Sequence, residues 1–294
     1  MKSGFISIVG RPNVGKSTLI NELVNHKVAI TSNKVGTTRN NILGIYHEKD
    51  LQMIFVDTPG IGRADSRLGE VLNTKAYQAM ENDLVLFVVD IASGFGKTDI
   101  KILGKLKNDN KDIILVLNKV DKINNEILIN RLVEIKDLYN FLEIVPVSSL
   151  KGKNVDTLRD VIKKHLKDDI PYFTEDTITN VSEKFMAGEI IREKVLMLTK
   201  EEVPHAVTVV IEQMTFKKNV IEIMGLIVVD RKNLKGILIG KQGSMLKKIG
   251  SLARDELETF FDKKVFLELY VKTMENWRNK ESSLVELGIS EIDD

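Results

Sequence analysis

Eight residues near the N-terminus have the types and spacing of a loop that cradles phosphate groups. Residues 10–17 read GRPNVGKS, directly after the apolar run Ile6–Val9 and before an amphipathic stretch that begins at Thr18. In this pattern the glycines let backbone N–H groups converge on phosphate oxygens, Lys16 reaches the β- and γ-phosphates, and the Ser17 hydroxyl ligates Mg²⁺. Taken alone, the same string is also compatible with a glycine-rich turn. The predicted nucleotide contacts here are Gly10, Arg11, Pro12, Asn13, Val14, Gly15, Lys16, Ser17 and Thr18.

Two further segments supply groups that a bound Mg²⁺ and a γ-phosphate require. Asp57, Thr58, Pro59 and Gly60 follow the strand-like run Met53–Val56. A carboxylate at that place can hold Mg²⁺ through a water, and the Gly60 N–H can meet the γ-phosphate. The loop GTTRN, residues 36–40, offers a threonine that can complete the metal shell. Thr38 is the first candidate and Thr37 the second.

The tetrad Asn118, Lys119, Val120 and Asp121 predicts which base the site accepts. A carboxylate accepts two hydrogen bonds side by side, and guanine offers N1–H and N2–H₂ in that arrangement, whereas adenine offers no such donor pair. Asp121 is therefore the predicted guanine contact. Asn118 can bind the other edge of the base and tie loops together, and the Lys119 stem packs on the face of the ring. Ser148 and Ser149 follow the next strand-like run, where their backbone can approach the guanine O6.

The elements that position these residues alternate between strand and helix. Near-continuous apolar runs such as 84–89 and 113–117 are typical of strands covered on both faces. Helical stretches such as Ile127–Leu138 separate them, which predicts an α/β P-loop domain with a doubly wound, mostly parallel sheet. The predicted domain covers residues 1–168, and the polar segment 169–182 is predicted to be a linker.

Residues 183–294 have a different pattern, which predicts a smaller α+β domain. Helical stretches are predicted at 185–198 and 244–261, and strands at 206–213, 220–228 and 265–271. A Gly-x-x-Gly loop precedes the second helix, and its backbone N–H groups could face the phosphates of a nucleic acid. The apolar run Ile237–Ile239 would supply a surface for unpaired bases. The predicted RNA contacts are Gly240, Lys241, Gln242, Gly243, Lys235, Ile237, Ile239 and Lys247.

Taken in order, these motifs resemble a known family of GTPases. The set GRPNVGKS, GTTRN, DTPG, NKVD and VSS is similar to the translation-factor-related class of small GTPases, and within it to the Era family. The run FMAGEIIREK, residues 185–194, resembles that family's entry into its KH domain, and the segment 203–209 and Trp277 with Arg278 fit as well. The resemblance therefore extends over nearly the whole chain.

The resemblance implies a GTPase that grips the 3′ end of small-subunit ribosomal RNA through a KH domain during assembly of the small ribosomal subunit. Its implied partners are GTP, GDP, that RNA and the 30S subunit or its precursor. Its implied cofactors are Mg²⁺ and potassium, the latter through Asn13. The proposed catalytic set is Lys16, Thr38, Asp57, Gly60 and Asn13, with Ser17, Thr38 and Asp57 at the metal. Many GTPases place a water-orienting Gln where this chain has Ile61, which cannot take that role.

Composition restricts the alternatives. The chain has 294 residues, a net charge of +1 and no cysteine. Disulfides and thiolate metal sites are therefore excluded, and there is no bulk electrostatic argument for nucleic acid. No apolar run approaches the roughly 20 residues that span a bilayer. We expect a cytoplasmic monomer, and the resemblance adds a peripheral contact at the inner face of the cell membrane. Two other readings are a GTPase whose C-terminal domain docks a protein or membrane, and an RNA-binding protein with an inactive nucleotide site.

Overall fold

The computed structural model describes residues 1–62, 64–78, 82 and 84–290. Contacts divide the chain into two units, one of Met1–Ala64 with Gly69–Asn180 and one of Asp65–Leu68 with Val181–Asp294. The last four residues of the predicted second domain, 291–294, lie outside the described part. Within that part no helix is long and apolar enough to cross a membrane.

The first unit is built on a sheet that is parallel apart from one edge strand. In the described part of the chain its strand order is β2-β3-β1-β4-β5-β6, and only β2 is antiparallel to its neighbour. The strands are β1 Lys2–Val9, β2 Ile42–Glu48, β3 Leu51–Asp57, β4 Leu84–Asp90, β5 Asp112–Asn118 and β6 Glu143–Pro146. The connecting helices are α1 Lys16–Val24, α2 Arg67–Gln78, α3 Lys97–Asn108, α4 Asn125–Ile135 and α5 Val155–His165.

The centre of this sheet confirms the predicted doubly wound α/β class. Side chains of β4 and β5 are buried on both faces, because helices cover the sheet on each side. This explains why the two strands read as continuous apolar runs. The edge strand β2 was not predicted, since its half-exposed sequence mixes Gly44, Tyr46 and His47 with only three aliphatic residues.

The segment predicted as a linker is instead held against the first unit as far as Asn180. The fully buried Gln52 donates to the Phe173 carbonyl at 2.8 Å and accepts from the Tyr172 N–H at 2.8 Å. The Ile45 N–H donates to the Ile178 carbonyl at 2.8 Å. An edge strand and a buried amide both leave polar groups that need partners, and this segment supplies them.

The second unit confirms the predicted α+β class. Its sheet has the order β7-β8-β9 in the described residues, with β7 antiparallel and β9 parallel to β8. Helices α6 and α8 pack against β7 and β9, respectively. The elements are α6 Glu183–Leu198, β7 Val207–Phe216, β8 Val220–Val229, α7 Lys232–Ile239, α8 Ser244–Phe261, β9 Lys264–Thr273 and α9 Glu281–Glu286.

The run Ile237–Ile239, predicted to supply a surface for unpaired bases, lies in helix α7, which was not predicted from the sequence. Leu234 and Leu238 point from α7 into the core and are buried. Their i, i+4 spacing is the inward face of a short helix. Leu238 therefore cannot meet a base, whereas the neighbouring Ile237 is 50% exposed.

Candidate functional site

The phosphate loop connects β1 to α1 and holds a buried lysine at its centre. The Lys16 side chain is 6% exposed, and its Nζ donates to the carbonyl oxygens of Gly10 at 3.1 Å and Arg11 at 3.3 Å. Burial lowers the pKa of Lys16 to about 8, and the nearby Asp57 carboxylate opposes that shift. The lysine is thus held inside the loop by weak carbonyl acceptors, which a phosphate could replace with a stronger anionic partner.

Three oxygen-bearing side chains from separate segments meet beside this lysine. Ser17 Oγ donates to Asp57 Oδ2 at 2.9 Å and lies 2.9 Å from Thr38 Oγ1. Thr38 Oγ1 lies 3.4 Å from the same carboxylate oxygen. The Thr37 hydroxyl, in contrast, donates to the Lys34 carbonyl at 2.7 Å. The structure therefore places Thr38, and not Thr37, with the predicted metal ligands.

The chemistry of this cluster fits Mg²⁺. Asp57 is fully buried, yet its Oδ1 has no hydrogen-bond partner among the described residues, so one carboxylate oxygen is left for a cation. Burial raises the pKa of Asp57 to about 6, against the opposing effect of Lys16 and the Ser17 and Thr38 hydrogen bonds. Hard oxygen ligands are those that Mg²⁺ prefers, and it commonly retains waters beside one carboxylate. In the described part of the chain no cluster of three or more His, Cys, Asp or Glu offers an alternative metal site.

The segment after β3 packs tightly on the phosphate loop. A Cβ at Gly60 would lie 2.8 Å from the backbone N and Cα of Pro12, so only glycine permits this approach. The Thr58 hydroxyl donates to the Ile8 carbonyl at 2.8 Å, and Pro59 is buried. Ile61 is 5% exposed and packs in the apolar core. Its side chain therefore lies in the core, and it has no polar atom that could orient a water.

The predicted base-binding residues form one hydrogen-bonded group. Asn118 donates to the Val14 carbonyl at 2.8 Å and accepts from the N–H and the hydroxyl of Ser149 at 3.0 and 2.9 Å. The Ser148 hydroxyl donates to Asp121 Oδ1 at 2.5 Å. Asn118 thus ties the phosphate loop to the Ser148–Ser149 loop, while Asp121 is oriented by a neighbouring hydroxyl.

Lys119 is fixed by charge and by a backbone acceptor. Its Nζ pairs with Asp90 Oδ2 at 2.8 Å and donates to the Asn13 carbonyl at 2.5 Å. Partial burial acts to raise the pKa of Asp90, but the Lys119 hydrogen bond and charge outweigh it and hold the pKa below its usual range. With its ammonium group anchored in this way, the Lys119 stem forms part of the groove wall.

Two adjoining cavities run from the metal cluster to Asp121. The first, about 50 Å³, reaches Lys16, Thr38 and Gly60, and the second, about 320 Å³, reaches Asn118 and Asp121. They share Asn13, Gly15, Thr18, Thr31 and Ser32, and so form one groove with a phosphate end and a base end. The sequence reading missed the lining residues Thr31, Ser32, Asn33, Lys34, Lys122 and Leu150. The polar run 31–34 beside the GTTRN loop was the available signal for four of them.

Some predicted nucleotide residues turn away from the groove. The Arg11 guanidinium bonds to the Ser93 hydroxyl, donates to the Gly94 carbonyl at 3.0 Å and lies 3.4 Å from Asp99 Oδ2. Val14 is 1% exposed. These two residues, like Thr58, can serve a ligand through their backbone but not through their side chains.

The Gly-x-x-Gly loop of the second unit is a tight exposed turn between α7 and α8. Gly240 has φ 72° and ψ 175°, and a Cβ there would lie 2.8 Å from the Met245 backbone N. Gln242 has φ 53°, and Gly243 has φ 78°. Lys241, Gln242 and Lys247 are exposed, whereas Lys235 and Ile239 are half-buried. The N–H groups of Gly240 and Gly243 are bonded within the turn, to the carbonyl oxygens of Gly236 at 2.9 Å and Gly240 at 3.2 Å. The first turn of α8 is therefore the part of this loop at which an anion could bind.

Family models match each unit separately. Residues 5–119 match a model described as 50S ribosome-binding GTPase, and residues 202–278 match the KH domain model. The first match contains the phosphate loop, the GTTRN loop, Asp57–Gly60 and Lys119, and the second contains the Gly240–Gly243 loop.

Two solved structures are similar over the whole chain. One is Era from Aquifex aeolicus, in a substituted form bound to GDP·AlF₄⁻, and the other is Era in complex with MgGDPNP and nucleotides 1506–1542 of 16S ribosomal RNA. Each is 42% identical to this chain with a TM-score of 0.95, and the match covers 99% of this chain and 100% of the other.

Proposed function

The chain belongs to the Era family of GTPases, and from this membership we propose that it binds and hydrolyses GTP and binds the 3′ end of small-subunit ribosomal RNA through its KH domain. Its role is then in assembly of the small ribosomal subunit. The observation that carries the enzymatic part is the convergence of Ser17, Thr38 and Asp57 beside Lys16, at the opposite end of one groove from Asp121.

Different residues of the groove would bind the base, the phosphates and the metal ion. Asp121 accepts the guanine N–H groups, and the phosphate-loop amides with Lys16 hold the phosphate chain. Ser17, Thr38 and Asp57 would hold Mg²⁺, which when bound neutralises charge on the β- and γ-phosphates. The Gly60 N–H would bind the γ-phosphate. Since Ile61 cannot orient water, stabilisation of developing charge by the loop amides and Lys16 supports slow turnover.

Potassium is a second proposed cofactor, through Asn13. This residue has φ 63°, and its amide donates to the Asn33 carbonyl at 3.0 Å, so it bridges the phosphate loop and the loop before GTTRN. Its amide oxygen could ligate a monovalent cation beside the phosphates. We expect wild-type GTP turnover to be faster in potassium than in sodium, and Asn13→Ala to remove the difference. Equal wild-type rates in both salts would exclude the idea.

The RNA proposal rests on the exposed turn Gly240–Gly243 at the start of α8. Its test is binding of GTP-analogue-loaded and GDP-loaded protein to a short strand that copies the small-subunit rRNA 3′ end, at fixed salt. We expect the analogue-loaded form to bind more tightly, and the double variant with Gly240→Asp and Gly243→Asp to lose binding while still binding nucleotide.

If neither form binds above a scrambled strand, the ribosomal part of the proposal is wrong and the alternative is a C-terminal domain that docks a protein or a membrane. The same outcome would leave the GTPase assignment intact, because nucleotide binding is measured separately.

We also propose that the protein is a monomer of the cytoplasm with a peripheral contact at the inner face of the cell membrane. Sedimentation of the purified protein tests the first point. Fractionation of cells with and without a high-salt wash tests the second, since a peripheral protein is released by salt.

A further inference from the structure

Asn73 on α2 forms hydrogen bonds with the backbone of Gly62, two residues after Gly60. Asn73 Oδ1 accepts from the Gly62 N–H at 3.2 Å, and Asn73 Nδ2 donates to the Gly62 carbonyl at 3.0 Å. The amide therefore satisfies both polar groups of one peptide residue, much as a neighbouring strand would. On its other side the same segment is held by the phosphate loop, because Gly60 packs on Pro12 and the Ile61 N–H donates to the Gly10 carbonyl at 3.4 Å.

A second side chain of α2 reaches the GTTRN loop, the other segment that is proposed to contact the γ-phosphate. Lys75 Nζ donates to Asn40 Oδ1 at 2.9 Å. Asn40 lies two residues after Thr38, whose hydroxyl belongs to the metal cluster. The half-buried Lys75 therefore holds the end of the GTTRN loop, where that loop enters β2.

The geometry of one helix makes the two contacts compatible. Successive residues of an α-helix are rotated by roughly 100°, so residues 73 and 75 project about 200° apart and reach different loops. Thr74, which lies between them, is exposed and returns its hydroxyl to the Glu70 carbonyl at 3.1 Å. Thr74 thus belongs to the same helical turn, but its hydroxyl bonds within the helix and not to either loop.

We propose that Asn73 and Lys75 are positioning residues that couple the Thr38 segment to the Gly60 segment through α2, and so determine how strongly the protein distinguishes GTP from GDP. This inference rests on the proposed GTPase function and adds two residues to it. A γ-phosphate orders Thr38 and Gly60 directly. Asn73 and Lys75 hold the next residues of each segment against a single rigid element, so that ordering of one segment lowers the entropic cost of ordering the other.

The test compares the dissociation constants of GDP and of a non-hydrolysable GTP analogue for wild type, Asn73→Ala, Lys75→Met and the double variant. Each single change should weaken analogue binding by roughly 5- to 10-fold, the loss of about one hydrogen-bonding partner, with GDP affinity within about twofold of wild type. The double variant should lose less than the product of the two single effects, because once one segment is released the other contact no longer couples them. In turnover, KM for GTP should rise more than kcat falls.

Three further variants separate positioning from a merely structural role. Thr74→Ala should behave as wild type. Lys75→Arg keeps a donor and should recover most of the discrimination. Asn73→Asp has the same size but faces the Gly62 carbonyl with a carboxylate oxygen, so it should lose discrimination even if Asn73→Ala proves unstable.

The inference is overturned if the variants keep the wild-type ratio of GDP to analogue affinity, or if both affinities fall together with a lower melting temperature. It is also overturned if the single effects multiply independently. A wild-type protein that binds neither nucleotide would instead reject the proposed function, and the inference with it.

Discussion

The nucleotide groove and the Gly240–Gly243 turn are both proposed to bind phosphate groups, yet they are built in opposite ways. In the groove three of the charged and polar side chains are buried and bonded to protein atoms: Lys16 is 6% exposed, and Asp57 and Asn118 at most 1%. In the turn the side chains of Lys241 and Gln242 are exposed, and the shape is held by backbone conformation at Gly240 and Gly243.

The contrast shows where specificity can come from. Buried groups act in a medium of low dielectric and cannot be replaced by water, so each one discriminates strongly. Exposed lysines attract any phosphate and are screened by salt. The groove is therefore expected to select one nucleotide, and the turn to select a backbone shape. Four predictions probe this difference.

The largest effect is expected at the base end of the groove. Asp121→Asn removes the carboxylate that accepts both guanine N–H groups, although Ser148 still contacts the side chain. We expect GTP affinity to fall by roughly 100-fold, or ~2.7 kcal/mol, as for a lost charged hydrogen-bonding partner. Affinity for xanthosine triphosphate should rise, since its C2 carbonyl can accept from the new amide. Competition binding with both nucleotides checks this, and an equal loss for both would contradict the role of Asp121.

The next effect concerns the backbone of the turn. Gly240→Ala brings a Cβ within 2.8 Å of the Met245 backbone at a φ of 72°, so the turn must change shape. We expect RNA affinity to fall by roughly 10-fold and stability by ~1–3 kcal/mol. The matched control is Gly236→Ala in α7, where a Cβ meets nothing within 4 Å and helix propensity should add ~0.5–1 kcal/mol. Thermal melts and RNA titrations distinguish the two variants.

A smaller effect follows from the buried pair in the groove. Asp57 must be ionised to hold Mg²⁺, and its raised pKa of about 6 means that ionisation is lost as pH falls through that value. Lys16 must be protonated to meet phosphate, and its lowered pKa of about 8 means that the proton is lost as pH rises through that value. Mg²⁺-dependent nucleotide affinity should therefore be highest between about pH 6 and 8. The acidic decline should disappear in Asp57→Asn, and its persistence there would assign it to another group.

The smallest effect is expected for a single lysine of the turn. Lys241→Ala removes one exposed charge and leaves the backbone unchanged. We expect RNA affinity to fall by roughly 3- to 5-fold at moderate salt, and the slope of log K against log salt to decrease by about 0.7, as for one phosphate contact on a single strand. A titration series at several salt concentrations measures both. An unchanged slope would show that Lys241 makes no phosphate contact.

Candidate functional residues that lie in short sequence motifs could be predicted from the sequence alone. The phosphate loop, Asp57 and the Asn118–Asp121 tetrad carry their chemistry in types and spacings that a strand-to-loop junction preserves. Buried central strands were equally clear, because covering by helices on both faces leaves only apolar residues. The Era-family resemblance followed from the same motifs.

Elements whose stability depends on distant partners could not be predicted from the sequence. The edge strand β2 and the short helix α7 have weak periodicity. On its free edge β2 bonds to Ile178 and Thr179, which are distant in the chain, and α7 packs on β8, α8 and β9. The segment 169–180 reads as polar linker, yet it satisfies Gln52 and the free edge of β2. The buried Gln52 amide and the free edge of β2 need hydrogen-bond partners only once the sheet has formed.

The sequence by itself determined the class of the two domains and the guanine nucleotide, and it predicted a loop for RNA, because those depend on short stretches of chain whose chemistry is local. Only the tertiary structure decided that Thr38 rather than Thr37 joins Ser17 and Asp57, that Leu238 belongs to the core, and that Asn73 and Lys75 hold two separate loops. Each of these depends on where a side chain points after packing, and packing brings together residues that are distant along the chain.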